Sequence, residues 1–235
     1  MTMPDCWAVV PAAGVGRRMG GDRPKQYLPL VGRTVIEYSL QALLAHPRVV
    51  GVVVAIGQDD PYWTSVRPQA DKPVETVLGG AERCDSVLNG LRSLATKLPA
   101  DHWVMVHDAA RPCLQAADVD SLIAAASGDP IGGILAMPVR DTIKRADAEA
   151  RIEVTVDRTD LWQALTPQMF RLGMLVHALE LSLARGFQVT DEASAMERAG
   201  WFAKLVAGQA DNIKVTRPED LPLAERFLQQ RADAL

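Results

Sequence analysis

Apolar residues along this chain fall into short unbroken runs separated by segments with three-to-four-residue spacing. Trp7–Pro11 carries no polar interruption, the pattern of a strand covered on both faces. Thr34–Glu37 reads Thr-Val-Ile-Glu, a capping box that opens a helix. That helix holds Val35, Tyr38, Leu40, Leu43 and Leu44 on or near one face, and Pro47 ends it. Val49–Ile56 predicts a second buried strand, residues 61–66 a Pro-containing helix or turn, and Val74–Leu78 a third strand. Gly79 and Gly80 turn the chain into a helix over Glu82–Ala95 with Val87, Leu88, Leu91 and Leu94 inward. Trp103–Val106 is a strand stopping at His107 and Asp108, Asp118–Ala126 a helix, and Ile131–Met137 another strand. This alternation predicts an α/β fold, a doubly wound and mostly parallel sheet.

The rhythm then changes. Thr142–Arg145 and Ile152–Val156 flank the polar turn Asp147–Ala150, which reads as a β-hairpin. An isolated two-stranded hairpin is marginal in water, so this one is expected to pack against something else, a second subunit being one candidate. Helices resume over Leu172–Arg185, over Asp191–Ala199 behind a Thr190 cap, and over Pro218–Gln230 with proline in the first turn. A last strand, Ala203–Val206, lies between the latter two.

The 235 residues fit one domain, with the hairpin an arm at about residues 139–160. A composition 48% apolar and 23% charged is that of a globular protein. No apolar run reaches the ~18 residues of a membrane span, and no basic segment followed by an apolar stretch opens the chain, so the expected compartment is the cytoplasm. Cys6, Cys84 and Cys113 are odd in number and widely spaced, against a disulfide framework or zinc site. The net charge of −4 argues against a nucleic-acid-binding face. It matters less than local charge, for Arg17, Arg18, Arg23 and Lys25 crowd into nine residues.

Those cations sit in the first chemical constellation. Pro11-Ala12-Ala13-Gly14 leaves the first strand, Gly16 and Gly20 follow, and Pro24-Lys25-Gln26 closes the loop. A strand feeding a glycine loop presents backbone N–H groups at the carboxyl edge of the sheet, where open α/β sheets bind ligands. Glycine lets the backbone approach phosphate oxygens, and the arginines and lysine supply charge to hold and polarise a triphosphate. The glycines alone also permit an NAD(P)-dependent oxidoreductase. Against it, the third glycine is displaced, Pro-Lys stands where a helix should run, and no acid ends the second strand. Asp108, at a strand end on the same edge, is placed to hold Mg²⁺ on a nucleotide's phosphates. A helix cap or a structural pair with Arg111 is the plainer alternative, and His107 reads as structural.

The loop, with Gly79–Ser86, Val106–Pro112, Pro138–Thr142, Thr155–Arg158, Leu165–Gln168, Thr190–Ser194 and Asp211–Asp220, resembles the nucleotidyltransferases that build sugar and polyol nucleotides. Within them it is most similar to the 2-C-methyl-D-erythritol 4-phosphate cytidylyltransferase family. The resemblance covers nearly the whole chain. It implies a nucleotide-diphospho-sugar transferase-like fold whose hairpin is a dimerisation arm, and transfer of CMP from CTP to a polyol phosphate with Mg²⁺ or another divalent cation. It also implies a homodimer with shared sites. Arg18 and Lys25 would stabilise the α-phosphate and the leaving pyrophosphate, and Arg17 would face away or make secondary contacts. Arg158 and Lys214 would position the acceptor phosphate. Ala12, Ala13, Gly14, Gly16, Gly80, Ser86, Asp108, Arg111, Thr142 and Thr166 would line the substrates, with Thr142 and Arg158 at opposite ends of the hairpin. A ribitol 5-phosphate cytidylyltransferase would share the fold and the CTP site.

The residues fit this chemistry independently. No Ser-His-Asp or Cys-His set stands out among four scattered histidines. A phosphate monoester has a second pKa of ~6 and is largely dianionic at neutral pH, so it can attack a phosphorus without a general base. Positioning and electrostatics carry such a reaction.

Overall fold

The computed structural model describes residues 3–14, 23–69 and 71–233. Gly16, Arg17 and Arg18 lie outside the described residues. The chain begins with β1 (Cys6–Pro11), then a small hairpin of β2 (Pro29–Leu30) and β3 (Arg33–Thr34), α1 (Val35–Leu44), β4 (Val49–Ile56) and β5 (Val74–Leu78). There follow α2 (Arg83–Ala95), β6 (Trp103–Val106), α3 (Ala116–Ser127), β7 (Gly132–Pro138), β8 (Ile143–Ala146) and β9 (Ile152–Val156). The chain continues through β10 (Trp162–Arg171), α4 (Leu172–Ala184), α5 (Glu192–Arg198), β11 (Lys204–Ala207) and α6 (Asp220–Ala232). Among the described residues no helix is long and apolar enough to cross a membrane.

Seven strands form the main sheet in the order β11-β7-β10-β6-β1-β4-β5. β1 pairs in parallel with β4 on one side and β6 on the other. The chain therefore leaves β1 and β6 in opposite directions, and a crevice opens beyond their carboxyl ends. The sheet is covered on both faces. Ala8 and Val10 point into one core with Leu40 and Leu43 of α1 and Leu122 and Ile123 of α3. Trp7 and Val9 point into the other with Val87 and Leu91 of α2 and Leu175 and Leu179 of α4. Burial on both sides is why these strands read as unbroken apolar runs.

The capping box at α1 is present, with the Thr34 backbone N–H donating to Glu37 Oε2 at 2.7 Å. Three boundary expectations are corrected. α5 is capped by Asp191, whose Oδ1 accepts from the Ser194 N–H at 3.0 Å, not by Thr190. Pro218 lies in a turn before α6 rather than in its first turn, because Asp220 Oδ2 accepts the N–H groups of Thr216 and Arg217. Glu82 precedes α2 as its cap, and Asp85 is the acid of the first turn.

The longest strand, β10, was not anticipated. It runs antiparallel between β6 and β7 and contains Pro167, a residue that argues against a central strand. The pairing with β7 shifts register between Ala164 and Gln168, and that irregularity accommodates the proline. The expected hairpin forms from β8 and β9. Because Ile143 pairs with Val156, Thr142 and Arg158 meet at the same base of the hairpin rather than at separate ends in space.

Gly90 shows how closely α2 lies on the sheet. A Cβ added there would stand 2.6 Å from Val9 Cγ1. On an open helix face Gly→Ala stabilises by ~1 kcal/mol. Here the sign should reverse, with Gly90→Ala lowering stability by ~1–3 kcal/mol through overpacking. Urea unfolding measures this, and Gly90→Ala should cost less in a Val9→Ala chain than in the native one.

Candidate active site

A cleft of about 470 Å³ opens beyond β1 and β6. One wall is the backbone leaving β1, Pro11–Gly14, and Gln26 holds it in shape. The buried Gln26 Nε2 donates to the carbonyls of Ala12 at 2.6 Å and Gly14 at 2.9 Å. The opposite wall is Gly80–Arg83, entering α2. Gly79 lets that wall approach, for a Cβ on it would lie 2.3 Å from Ala13 Cβ. The Ser86 hydroxyl oxygen accepts from the Gly80 N–H at 3.1 Å and its O–H donates to the Glu82 carbonyl at 3.2 Å. Ser86 thus shapes the loop and also lines the cleft.

The floor is Asp108–Ala110, after β6. Asp108 is buried and ringed by cations: Arg83 Nε is 2.8 Å from Oδ1, Lys214 Nζ 2.7 Å and Arg111 Nε 3.8 Å from Oδ2. Burial alone would raise its pKa. The charges of Arg83, Lys214 and Arg111 overcome that and hold the carboxyl well below the usual carboxylate range. Burial would likewise depress the Arg83 guanidinium, but Glu192 and Asp108 outweigh it and push the pKa up. Lys25 reaches the cleft from the loop's far end and donates from Nζ to the Val215 carbonyl at 2.8 Å. The segments carrying Lys25 and Lys214 are thereby tied together.

Beside the cleft lies an annex of about 230 Å³. It shares Arg83, Asp108 and Lys214 with the cleft and adds Arg111, Thr166 and Thr190. Arg111 donates from Nη1 to the Asn212 carbonyl at 2.6 Å, and burial lowers its pKa despite Asp108. β10 delivers Thr166, whose Oγ1 accepts from the Asp108 N–H at 3.1 Å and stands 3.0 Å from His107 Nδ1.

Of the residues expected at a site, Ala12, Ala13, Gly14, Lys25, Gly80, Ser86, Asp108 and Lys214 line the cleft, and Arg111 and Thr166 line the annex. Thr142 and Arg158 line neither. Both are exposed at the base of the arm, where Arg158 donates to the Arg140 carbonyl. Arg83, Gln26, Glu192 and Thr190 were missed as individual residues. The signal at Arg83 was a cation in a first helical turn, where the macrodipole disfavours it. Such a cation needs carboxylates, and here they are Asp108 and Glu192. Among the described residues no group of three or more His, Cys, Asp or Glu could hold a metal ion.

Comparison with known proteins gives a consistent answer. The family model described as IspD, 2-C-methyl-D-erythritol 4-phosphate cytidylyltransferase, matches residues 6–230. A protein of that name from Pseudomonas putida is 54% identical over 231 residues, 98% of this chain and 97% of that one. One from Pseudomonas aeruginosa is 55% identical over 225 residues, covering 95% and 96%. The crystal structure of a 4-diphosphocytidyl-2C-methyl-D-erythritol synthase superposes with a TM-score of 0.84 at 36% identity, covering 96% of this chain and 99% of that one. The Francisella tularensis 2-C-methyl-D-erythritol 4-phosphate cytidylyltransferase gives 0.82 at 33%, covering 95% and 99%.

His107 yields a pH prediction. It is fully buried, and desolvation lowers its pKa from 6.5 to about 4. A neutral ring with its proton on Nε2 fits both neighbours, donating to the Arg111 carbonyl at 3.1 Å and accepting the Thr166 hydroxyl proton on Nδ1. With the folded pKa depressed, the unfolded chain binds the proton first. The contribution of His107 is therefore intact above pH 6.5 and declines as pH falls toward 4, by on the order of 3 kcal/mol. Urea unfolding of the native chain and His107→Gln between pH 7 and 4.5 should show a shallower pH dependence in the variant.

Proposed function

The chain belongs to the 2-C-methyl-D-erythritol 4-phosphate cytidylyltransferase family and transfers CMP from CTP to the phosphate of 2-C-methyl-D-erythritol 4-phosphate in isoprenoid biosynthesis, and we propose that it does so in two adjoining cavities that share one charged wall. An acceptor phosphate oxygen forms a bond to the α-phosphorus of CTP. The bond from that phosphorus to the bridging oxygen breaks, and pyrophosphate leaves with the electron pair. The observation that carries this reading is the boundary itself: Asp108, Lys214 and Arg83 line both the 470 Å³ cleft and the 230 Å³ annex. A nucleotide in the first and a polyol phosphate in the second would meet at Lys214.

The roles follow from reach and charge. Backbone N–H groups of the glycine loop hold the nucleotide, and the Gly80–Arg83 wall closes on its other side. Lys25, with Arg18, stabilises charge on the α-phosphate and on the departing pyrophosphate. Lys214 orients the acceptor, and Arg111, Thr166 and Thr190 line its annex. The acceptor is already a dianion above its second pKa of ~6, so no side chain need remove a proton. Mg²⁺ characteristically takes one or two carboxylates together with substrate phosphates rather than an all-protein cage; Asp108 is the carboxylate at hand, and because Arg83 and Lys214 already face its two oxygens, the ion would take most of its ligands from the phosphates. When bound, the ion would neutralise phosphate charge and orient the triphosphate. The substrates are small water-soluble phosphates, in keeping with a cytoplasmic enzyme.

The arm supports a homodimer. It exposes Ile152 at 67% and Val154 at 44%, with Leu161 and Trp162 exposed beside its base, apolar surface of the kind a partner subunit covers. In that assembly Arg158 of the partner subunit and Thr142 of the partner subunit complete the acceptor site, which accounts for their separation from both cavities within one chain.

Pyrophosphate release with CTP, Mg²⁺ and 2-C-methyl-D-erythritol 4-phosphate tests the reaction. It should exceed release with ribitol 5-phosphate or erythritol phosphate, and with UTP, ATP or GTP as donor. Lys25→Ala should lower kcat by roughly 10²–10³-fold at saturating CTP, as for loss of an oxyanion-stabilising donor; near-normal turnover would remove Lys25 from the mechanism. Shared sites make a separate prediction. Mixing inactive Lys25→Ala and Arg158→Ala chains should regenerate activity, and verified mixed dimers without recovery would refute the sharing.

A further inference from the structure

Glu192 and Arg83 have no direct part in the roles above, yet they are tightly paired beside the cleft. Glu192, the first residue of α5, is fully buried and lines neither cavity. Its carboxylate receives the whole guanidinium fork, with Arg83 Nη1 2.7 Å from Oε1 and Nη2 3.1 Å from Oε2. The same guanidinium donates from Nε to Asp108 Oδ1 at 2.8 Å, and the other Asp108 oxygen lies 2.7 Å from Lys214 Nζ. Four side chains thus form one line, from Glu192 through Arg83 and Asp108 to the amine at the boundary of cleft and annex.

The far end of that line is fixed. The start of α5 is fastened to β10 by Gln168, whose Nε2 donates to Asp191 Oδ2 at 2.9 Å and whose Oε1 accepts the Ala193 N–H at 2.8 Å. Burying the Glu192 carboxylate is costly unless it is paired. Arg83 would satisfy its charge more simply by turning toward the open cleft, where phosphates bind. A bidentate grip from a fixed helix start prevents that and fixes the plane of the guanidinium.

We propose that Glu192 is a positioning residue for the transfer reaction: it holds Arg83 so that Asp108 keeps one oxygen on the guanidinium and presents the other to Lys214, setting the amine that orients the acceptor phosphate. Glu192 touches neither substrate. The inference rests on the assignment of Lys214 to the acceptor.

Glu192→Gln, which keeps shape and one acceptor oxygen, is compared with the native chain and then introduced beside Lys214→Gln. Single-turnover assays with excess enzyme and labelled CTP keep slow variants measurable. In the native background kcat/KM for the acceptor should fall about 10–100-fold, the cost of a misplaced group, while CTP affinity, read from tryptophan quenching, should change less than about 3-fold. Beside Lys214→Gln the same substitution should cost little more, because coupled residues are not additive. Equal losses in both backgrounds, an unchanged acceptor kcat/KM, or a parallel loss of CTP affinity would overturn the proposal. If Glu192→Gln does not fold, Glu192→Asp, which keeps the charge but withdraws it from Arg83 by one methylene, is measured in both backgrounds with the same expected and overturning results. A native chain that releases no pyrophosphate would refute the assigned reaction, whereas an active native chain with additive variants would refute only the role of Glu192.

Discussion

Much of the site depends on one buried carboxylate. Asp108 loses its water at the end of β6, and a charge in that position is tolerated only with close partners. The partners come from three separate parts of the chain: Arg83 at the start of α2, Arg111 just after β6, and Lys214 in the segment before α6. Satisfying Asp108 therefore draws the loop after β5 and the C-terminal segment onto the same edge of the sheet. Removing Asp108 would leave three cations without the anion they share, so the geometry of the site and the folding of its surroundings are coupled.

The sheet makes that convergence possible. Crossing from β1 to β4 on one side and pairing with β6 on the other opens the crevice. The antiparallel β10 then runs beside β6 with Gln168 opposite Val106, which carries Thr166 past the end of β6 to the Asp108 backbone. A parallel strand in that position would direct its amino end to the opposite edge. The inserted strand also supplies Gln168, and with it the attachment of α5. One exceptional strand thus contributes both a wall of the annex and the support behind Arg83.

What the sequence made legible follows the range of the interactions. β1, β4 and β6 were readable because burial on two faces leaves a local mark, a run of apolar residues. The glycine loop and the α1 capping box were readable because their chemistry closes within a few positions. β10 was hidden by Pro167 and by the polar residues that serve the site. Glu192 was hidden differently. It pairs with Arg83 across 109 positions, and neither residue carries a local pattern that names the other. Asp108 was seen as a strand-end acid, but its three cations become evident only when the fold brings them together.

Charge balance explains why one chain's described pockets look unfinished. At the boundary of cleft and annex Arg83, Arg111 and Lys214 face Asp108 and Glu192, and Asp191 adds a third carboxylate to the annex wall, so these groups leave no surplus of positive charge. On the proposed reading two polyanionic substrates meet there, and their mutual repulsion grows as water is excluded. Arg83 cannot make up the deficit, because its charge is already shared between two carboxylates. The remaining positive charge must enter with the glycine-loop cations, with a divalent ion, or with another subunit. The exposed Arg158 on an apolar arm is suited to the last of these. On the proposed assignment of Lys214, the network around Asp108 therefore orients the acceptor more than it attracts it.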